Sequence, residues 1–195
     1  MMVKETGIIM SGNHPKLILD RIKTQTRRTS GLKGINLEPD KWISVRRDQM
    51  IGIPLDTFIF HNKEDRDDGE SIRELIKCPY GQVGDRLWVR ETFTWVTLGE
   101  KDPWKDRAIA DGTFRRMPNG EPVKMCYKAD GYEIGSRWYP SIHMPRWASR
   151  ITLEITKVRA ERVQEITEVD AKAEGLKAQS RETWWCWCIS FKVVK

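Results

Sequence analysis

No apolar run in the sequence approaches the roughly 18 residues that a membrane-spanning helix needs. The opening residues Met1-Met2-Val3-Lys4-Glu5-Thr6 carry no apolar signal-peptide core. The expectation is a cytoplasmic protein with no membrane partner. Cysteine is scarce: the four residues Cys78, Cys126, Cys186 and Cys188 include no C-x-x-C pair, which argues against the common zinc frameworks. Cys186 and Cys188 lie two apart in a strand-like run, so they share a face and are poorly placed to bridge. All four read as reduced, partly buried thiols, and neither a metal nor a cofactor is expected. Internal repeats and low-complexity segments are absent as well.

What is present is charge, tryptophan and enough apolar content for one core. The chain has 195 residues, 39% of them hydrophobic, which suffices for a single domain over residues 1–195. Lysine and arginine total 34 against 28 acids, a net charge of +6, and this balance favours a polyanionic partner. Nine tryptophans exceed core needs. Trp88, Trp104, Trp138 and Trp147 lie beside arginine or lysine, an interleaving that suits bases stacked on aromatic faces with cations on the phosphates. Trp185 and Trp187 read as core.

Periodicity gives a coarse outline. Gly7 to Met10 reads as a strand, and Asn13-His14-Pro15 opens a short helix with Leu17, Ile18 and Ile22 on its apolar face. Strands are expected over Trp42 to Val45, Thr57 to His61 and Ile72 to Lys77, with a polar turn at Asn62 to Glu70. Arg86 to Val96 reads as one continuous strand in which Leu87, Val89, Glu91, Phe93 and Trp95 share a face, making Glu91 a buried acid. Asp85 reads as a turn residue. Val123 to Ala129 and the alternating stretch Ile151 to Thr156 are further strands. Thr167 and Asp170 cap a short helix ending at Gly175. Trp184 to Val194 closes the chain, with Trp185, Trp187, Ile189, Phe191 and Val193 inward. Residues 98–122 and 131–147 are expected to be loop elaborations. Strands joined by turns, with short helices outside, predict an α+β protein built on a mixed or antiparallel barrel.

The segment richest in chemistry is Lys23-Thr24-Gln25-Thr26-Arg27-Arg28. Placed at the end of the first helical pattern, Lys23 and Thr26 would share one helical face. Arg27 and Arg28 would hold an anion or a planar base. This segment with Ile22, the turn Gly84-Asp85-Arg86-Leu87-Trp88-Val89, the run Ile166 to Leu176 and the closing aromatic strand together resemble the ASCH family. Cys78-Pro79-Tyr80-Gly81 and the stretch Pro140 to Arg150 are similar to longer members found in phages and prophages. The resemblance runs from about Ile8 to Val194, and it implies a PUA-like barrel.

Relatives in this family include a bacterial amidohydrolase that deacylates N4-acetylcytidine. Its lysine, threonine and glutamate match Lys23, Thr26 and Glu174, which the resemblance therefore marks as catalytic. Longer relatives carry an extended segment before the final strand, where this chain has only Leu176 to Thr183. Amide cleavage needs a nucleophile, a group to manage its proton and a stabiliser for the oxyanion. Thr26 attacking directly, with Lys23 taking its proton, and Thr26 orienting a water are both compatible with the sequence. Arg27, Arg28, Arg86, Trp88, Arg90, Glu91, His143, Arg146 and Trp147 are the candidate substrate or nucleic-acid contacts. The expected partner is a modified nucleoside or single-stranded nucleic acid. A non-catalytic RNA- or single-stranded-DNA-binding module and a ribonuclease are the competing functions.

Overall fold

The computed structural model describes residues 3–45, 54, 56–63, 73–99, 101–131, 137–174 and 183–194. In chain order the regular elements are β1 (Glu5–Ile9), α1 (His14–Leu19), β2 (Gln25–Arg28), β3 (Trp42–Val45), β4 (Thr57–Asn62), β5 (Arg73–Lys77), β6 (Arg86–Arg90) and β7 (Phe93–Thr97). They continue with α2 (Trp104–Ala110), β8 (Phe114–Arg116), β9 (Pro122–Tyr127), β10 (Thr152–Arg162), α3 (Glu168–Ala173) and β11 (Trp185–Val193). The protein is thus α+β, mostly strand; the pairs β2–β11, β3–β4, β4–β5, β7–β9 and β8–β9 are antiparallel, and the described strands form no closed barrel. No helix among the described residues is long and apolar enough to cross a membrane. By internal packing the chain divides into two compact units, one mainly Ile22–Arg86 with Glu154–Lys192, the other mainly Glu5–Arg21 with Leu87–Leu153.

In the first unit β10, β11 and β2 lie side by side in that order, and β3, β4 and β5 form a three-stranded meander. The β-branched and aromatic content of β4 and β11 suits a pleated, buried surface. Phe58 packs on Trp187 with ring centroids 4.9 Å apart, and Phe60 meets Trp185 edge-on at 5.3 Å. Each buried indole N–H finds an acceptor, as amphipathic rings require: Trp187 donates to the Ser30 carbonyl at 2.8 Å and Trp185 to that of Pro39 at 3.1 Å. Cys186 and Cys188 are as buried as the tryptophans beside them, so β11 is covered on both faces over this stretch rather than on one. Val193, expected inward, is exposed. All four cysteines are free and buried. Asp85 is a turn residue, its carboxylate accepting from the amides of Lys4 and Gln82, both at 3.0 Å.

The second unit holds the sheet β7-β9-β8 and a core of Phe93, Val123, Met125, Tyr127, Met144 and Ala148, with Trp88, Trp95, Tyr139 and Trp147 packed against it. The expected single strand from Arg86 to Val96 is two strands. The Arg90 carbonyl accepts from Met10, whereas Phe93 exchanges hydrogen bonds with Tyr139 and Thr92 accepts from Lys128, so the partner changes at Glu91 and Thr92. Residues 98–122 are more than a loop, since they contain α2 and β8. Gly112 (φ 70°) and Gly120 (φ 86°) supply the left-handed turns that separate such short elements. Residues 141–148 form two 3-10 turns, and 132–136 lie outside the described residues.

Glu91 is 2% exposed, as its place in the apolar pattern implies. Arg150 grips it with Nε at 2.9 Å and Nη2 at 3.0 Å, and grips Asp130 at 2.7 and 2.8 Å. The same guanidinium lies 4.0 Å over the Tyr127 ring, whose hydroxyl donates to the Ala148 carbonyl at 2.8 Å. Burial works against the charge on Arg150, but the hydrogen bonds from it to Glu91 and Asp130 and their negative charges outweigh that cost and hold its pKa above the ordinary arginine value. Removing one member of such a buried pair strands its partner. Glu91→Ala is expected to destabilise the protein by roughly 3 kcal/mol in urea unfolding, and a loss under about 1 kcal/mol, the size of an exposed pair, would contradict this role.

Candidate functional site

The motif Lys23 to Arg28 is not helical. α1 stops at Leu19, Asp20 closes it, and Arg21 turns the chain with φ 58°. Thr24 then donates to the Ala173 carbonyl at 2.8 Å and accepts from the Phe191 amide at 2.9 Å. From Gln25 onward the chain is strand β2, paired with β11 so that Thr26 opposes Ile189 and Arg27 opposes Cys188. The shared helical face expected of Lys23 and Thr26 is therefore replaced by strand alternation. Gln25 and Arg27 point to one side, Thr26 and Arg28 to the other.

Arg27 is the centre of the cluster this creates. Its guanidinium binds Glu174 directly, Glu161 at 3.1 Å and Asp170 at 3.7 Å. Gln25 adds a hydrogen bond to Asp170 at 3.2 Å, and Ser190, its cross-strand partner, donates to the Gln25 side chain at 3.2 Å. Arg159 binds the same two acids, Glu161 at 2.6 Å and Asp170 at 3.6 Å. Burial alone would raise the Asp170 pKa. The hydrogen bonds from Gln25 and Thr167 and the charges of Arg27 and Arg159 more than offset this and leave it lowered. The helix that presents Asp170 is capped as its sequence predicts, Thr167 Oγ1 accepting from the Asp170 amide at 3.1 Å. Its expected terminus at Gly175 lies outside the described residues.

Lys23 is only 2% exposed, and its amine donates to the backbone carbonyl of Glu174 at 2.8 Å. Burial lowers its pKa to about 8; the Glu174 charge works in the opposite direction, and Arg28 and Arg27 push it further down. Two of the three expected catalytic residues are therefore in contact, although 151 positions separate them in sequence. Thr26 is buried, and among the described residues no hydrogen bond joins it to Lys23 or Glu174. A cavity of about 1100 Å³ in the same unit is bordered by Arg159 and Glu161 but not by Lys23, Thr26 or Glu174.

The remaining candidates divide between the units. Arg27, Arg28 and Arg86 belong to the first; Trp88, Arg90, Glu91, His143, Arg146 and Trp147 belong to the second. Trp88 carries Arg90 at 5.4 Å and Arg146 at 5.9 Å from its ring centroid. Gly7 leaves room for that ring, since a Cβ there would stand 2.8 Å from it. Arg146 also binds Glu5 at 3.1 Å and Thr152 at 3.1 Å. His143 is exposed, Trp147 packs against the core, and the Glu91 carboxylate is engaged by Arg150. Among the described residues no group of three or more His, Cys, Asp and Glu is arranged to hold a metal ion. Sequence reading missed Arg159 and Glu161. The signal was their spacing of two on a strand that continues well past Thr156.

The depressed lysine has a thermodynamic signature. Below about pH 8 both folded and unfolded chains hold the Lys23 proton, and the buried charge counts against folding. Between about 8 and the ordinary 10.5 the unfolded chain binds more protons, so stability rises with pH there. The advantage of Lys23→Met over wild type should shrink by roughly 3 kcal/mol between pH 7 and 10.5. Paired denaturation curves check this, and a pH-independent difference would contradict it.

Comparison of the chain with family models, with curated proteins and with solved structures gives no match.

Proposed function

We propose that this chain is a PUA-like ASCH protein that binds a nucleobase-containing ligand and removes the acyl group from an N4-acylated cytosine, with Lys23, Thr26 and Glu174 as its catalytic residues. The observation that carries the reading is the buried Lys23 amine, brought to a pKa of about 8 and seated against Glu174. A lysine of that kind is a usable base near neutral pH, which an exposed lysine is not.

In the proposed reaction neutral Lys23 takes the proton of the Thr26 hydroxyl as its oxygen bonds to the acyl carbon. The tetrahedral intermediate collapses with cleavage of the bond to N4. The proton gained by Lys23 passes to the departing amine with Glu174 as relay. Water then attacks the threonine ester, releases the carboxylic acid and restores Thr26. Arg27 holds the Glu174 carboxylate in place during this cycle. Non-catalytic nucleic-acid binding is supported by a different observation, the Trp88 ring with its two arginines.

Hydrolysis of N4-acetylcytidine, followed by chromatography of cytidine and acetate, tests the enzymatic reading. The rate should rise with pH and level off above about 8, because the active base is the deprotonated amine. Lys23→Arg should lose at least roughly 100-fold, since arginine stays protonated in this range. Full activity in that variant, or a rate that falls as pH rises through 8, would exclude Lys23 as base.

A further inference from the structure

The cavity in the first unit lies along β3 and the second half of β10, and its notable side chains are Trp42, Phe58, Lys63, Lys157, Arg159 and Trp185. It belongs to none of the expected contact residues. Its volume, about 1100 Å³, exceeds the roughly 300–1,000 Å³ of a typical small-molecule site. Three of its walls are aromatic.

Its cations fall into two kinds. Arg159 is bound to Glu161 and Asp170, and Arg162 to Asp40 at 2.5 Å. Lys63 and Lys157 are exposed and have no acidic partner among the described residues. The two acids on the wall do not neutralise them. Glu161 has both oxygens on arginines, and Glu165 folds back toward the Arg162 amide at 3.4 Å. Among the described residues the groove thus presents two positive charges without an acidic partner beside the half-buried face of Trp42.

We infer that this groove binds a single-stranded nucleic acid, with backbone phosphates on Lys63 and Lys157 and a base on Trp42. The inference rests on the reading of the chain as a nucleobase-binding protein. Planar rings stack on an aromatic wall whatever their sequence, and free lysines on the same groove neutralise the phosphates. An acidic peptide could pair with the lysines, but it lacks the regular alternation of phosphate and planar base that a strand offers to charge and ring together. Arg159 gives the groove a physical link to the buried cluster, because its wall guanidinium shares Glu161 and Asp170 with Arg27.

The test is fluorescence anisotropy of the full chain with a labelled, unmodified 12-nucleotide RNA, the same sequence as single-stranded DNA, and an acidic peptide, across a salt series. The wild type should bind the oligonucleotides and not the peptide. The double variant Lys63→Gln and Lys157→Gln should weaken binding at least tenfold at low salt and reduce the logarithmic salt slope by about 1.4, two single-strand phosphate contacts. Trp42→Ala should cost about tenfold more, while Trp42→Phe, which keeps an aromatic face, should retain most of the affinity and serves as the control for folding. An unchanged affinity or salt slope in the lysine variant, or equal binding of the acidic peptide, would overturn the assignment. Since the RNA carries no acyl group, groove-dependent binding by a wild type that turns over no acylated cytosine would sink the amidohydrolase reading alone, and turnover with groove-independent binding would sink this one alone.

Discussion

The first unit is organised around the enclosed guanidinium of Arg27. A guanidinium with 8% side-chain exposure is costly to take out of water, by several kcal/mol. The sequence offsets that cost by bringing three carboxylates to it, from β10 (Glu161), from α3 (Asp170) and from the residue that ends α3 (Glu174). The pairing locks the short helix onto the strand, for α3 has six residues and too few turns to be stable alone. Lys23 is then held beneath the helix end, where the Glu174 carbonyl is its hydrogen-bond acceptor. Its lowered pKa follows from that enclosure, with Arg28 and Arg27 adding to it.

Considered by itself, the second unit uses the same solution. Arg150 collects Glu91 and Asp130 and lies over the Tyr127 ring. The difference lies in what is left over. Around Arg150 the described groups satisfy one another, which is the pattern of a structural pair. Around Arg27 an additional amine is enclosed with a depressed pKa, and depressed lysines are a recurrent feature of functional sites. This contrast is why the proposed chemistry is placed at Lys23 and not at Glu91.

Much of this was readable from the chain. Glu91 fell in register with Leu87, Val89 and Phe93, so its burial followed from a period of two. Thr167 and Asp170 announced their cap. The errors came where long-range pairing overrides local pattern. Lys23 to Arg28 follows a helix and reads as its continuation, but Thr24 and the residues after it hydrogen-bond to segments some 150 or more positions away. Arg86 to Val96 alternates without a break, yet its pairing partner changes at Glu91, which no local signal marks. Arg159 and Glu161 escape sequence reading because beyond Thr156 the strand carries charged residues at every second position and only Val158 and Ala160 between them. Their role appears only when β2 and α3 are set against it.

The proposed chemistry depends on whether Lys23 is a lysine with an ordinary or a depressed pKa. A direct measurement is an NMR titration of the ε-carbon and Nζ resonances of lysine in the wild type, with Lys23→Met identifying the signal. If the Lys23 amine is enclosed as described, one lysine titrates near 8, well apart from the rest. A Lys23 resonance that titrates with the exposed lysines, near the ordinary 10.5, would contradict it.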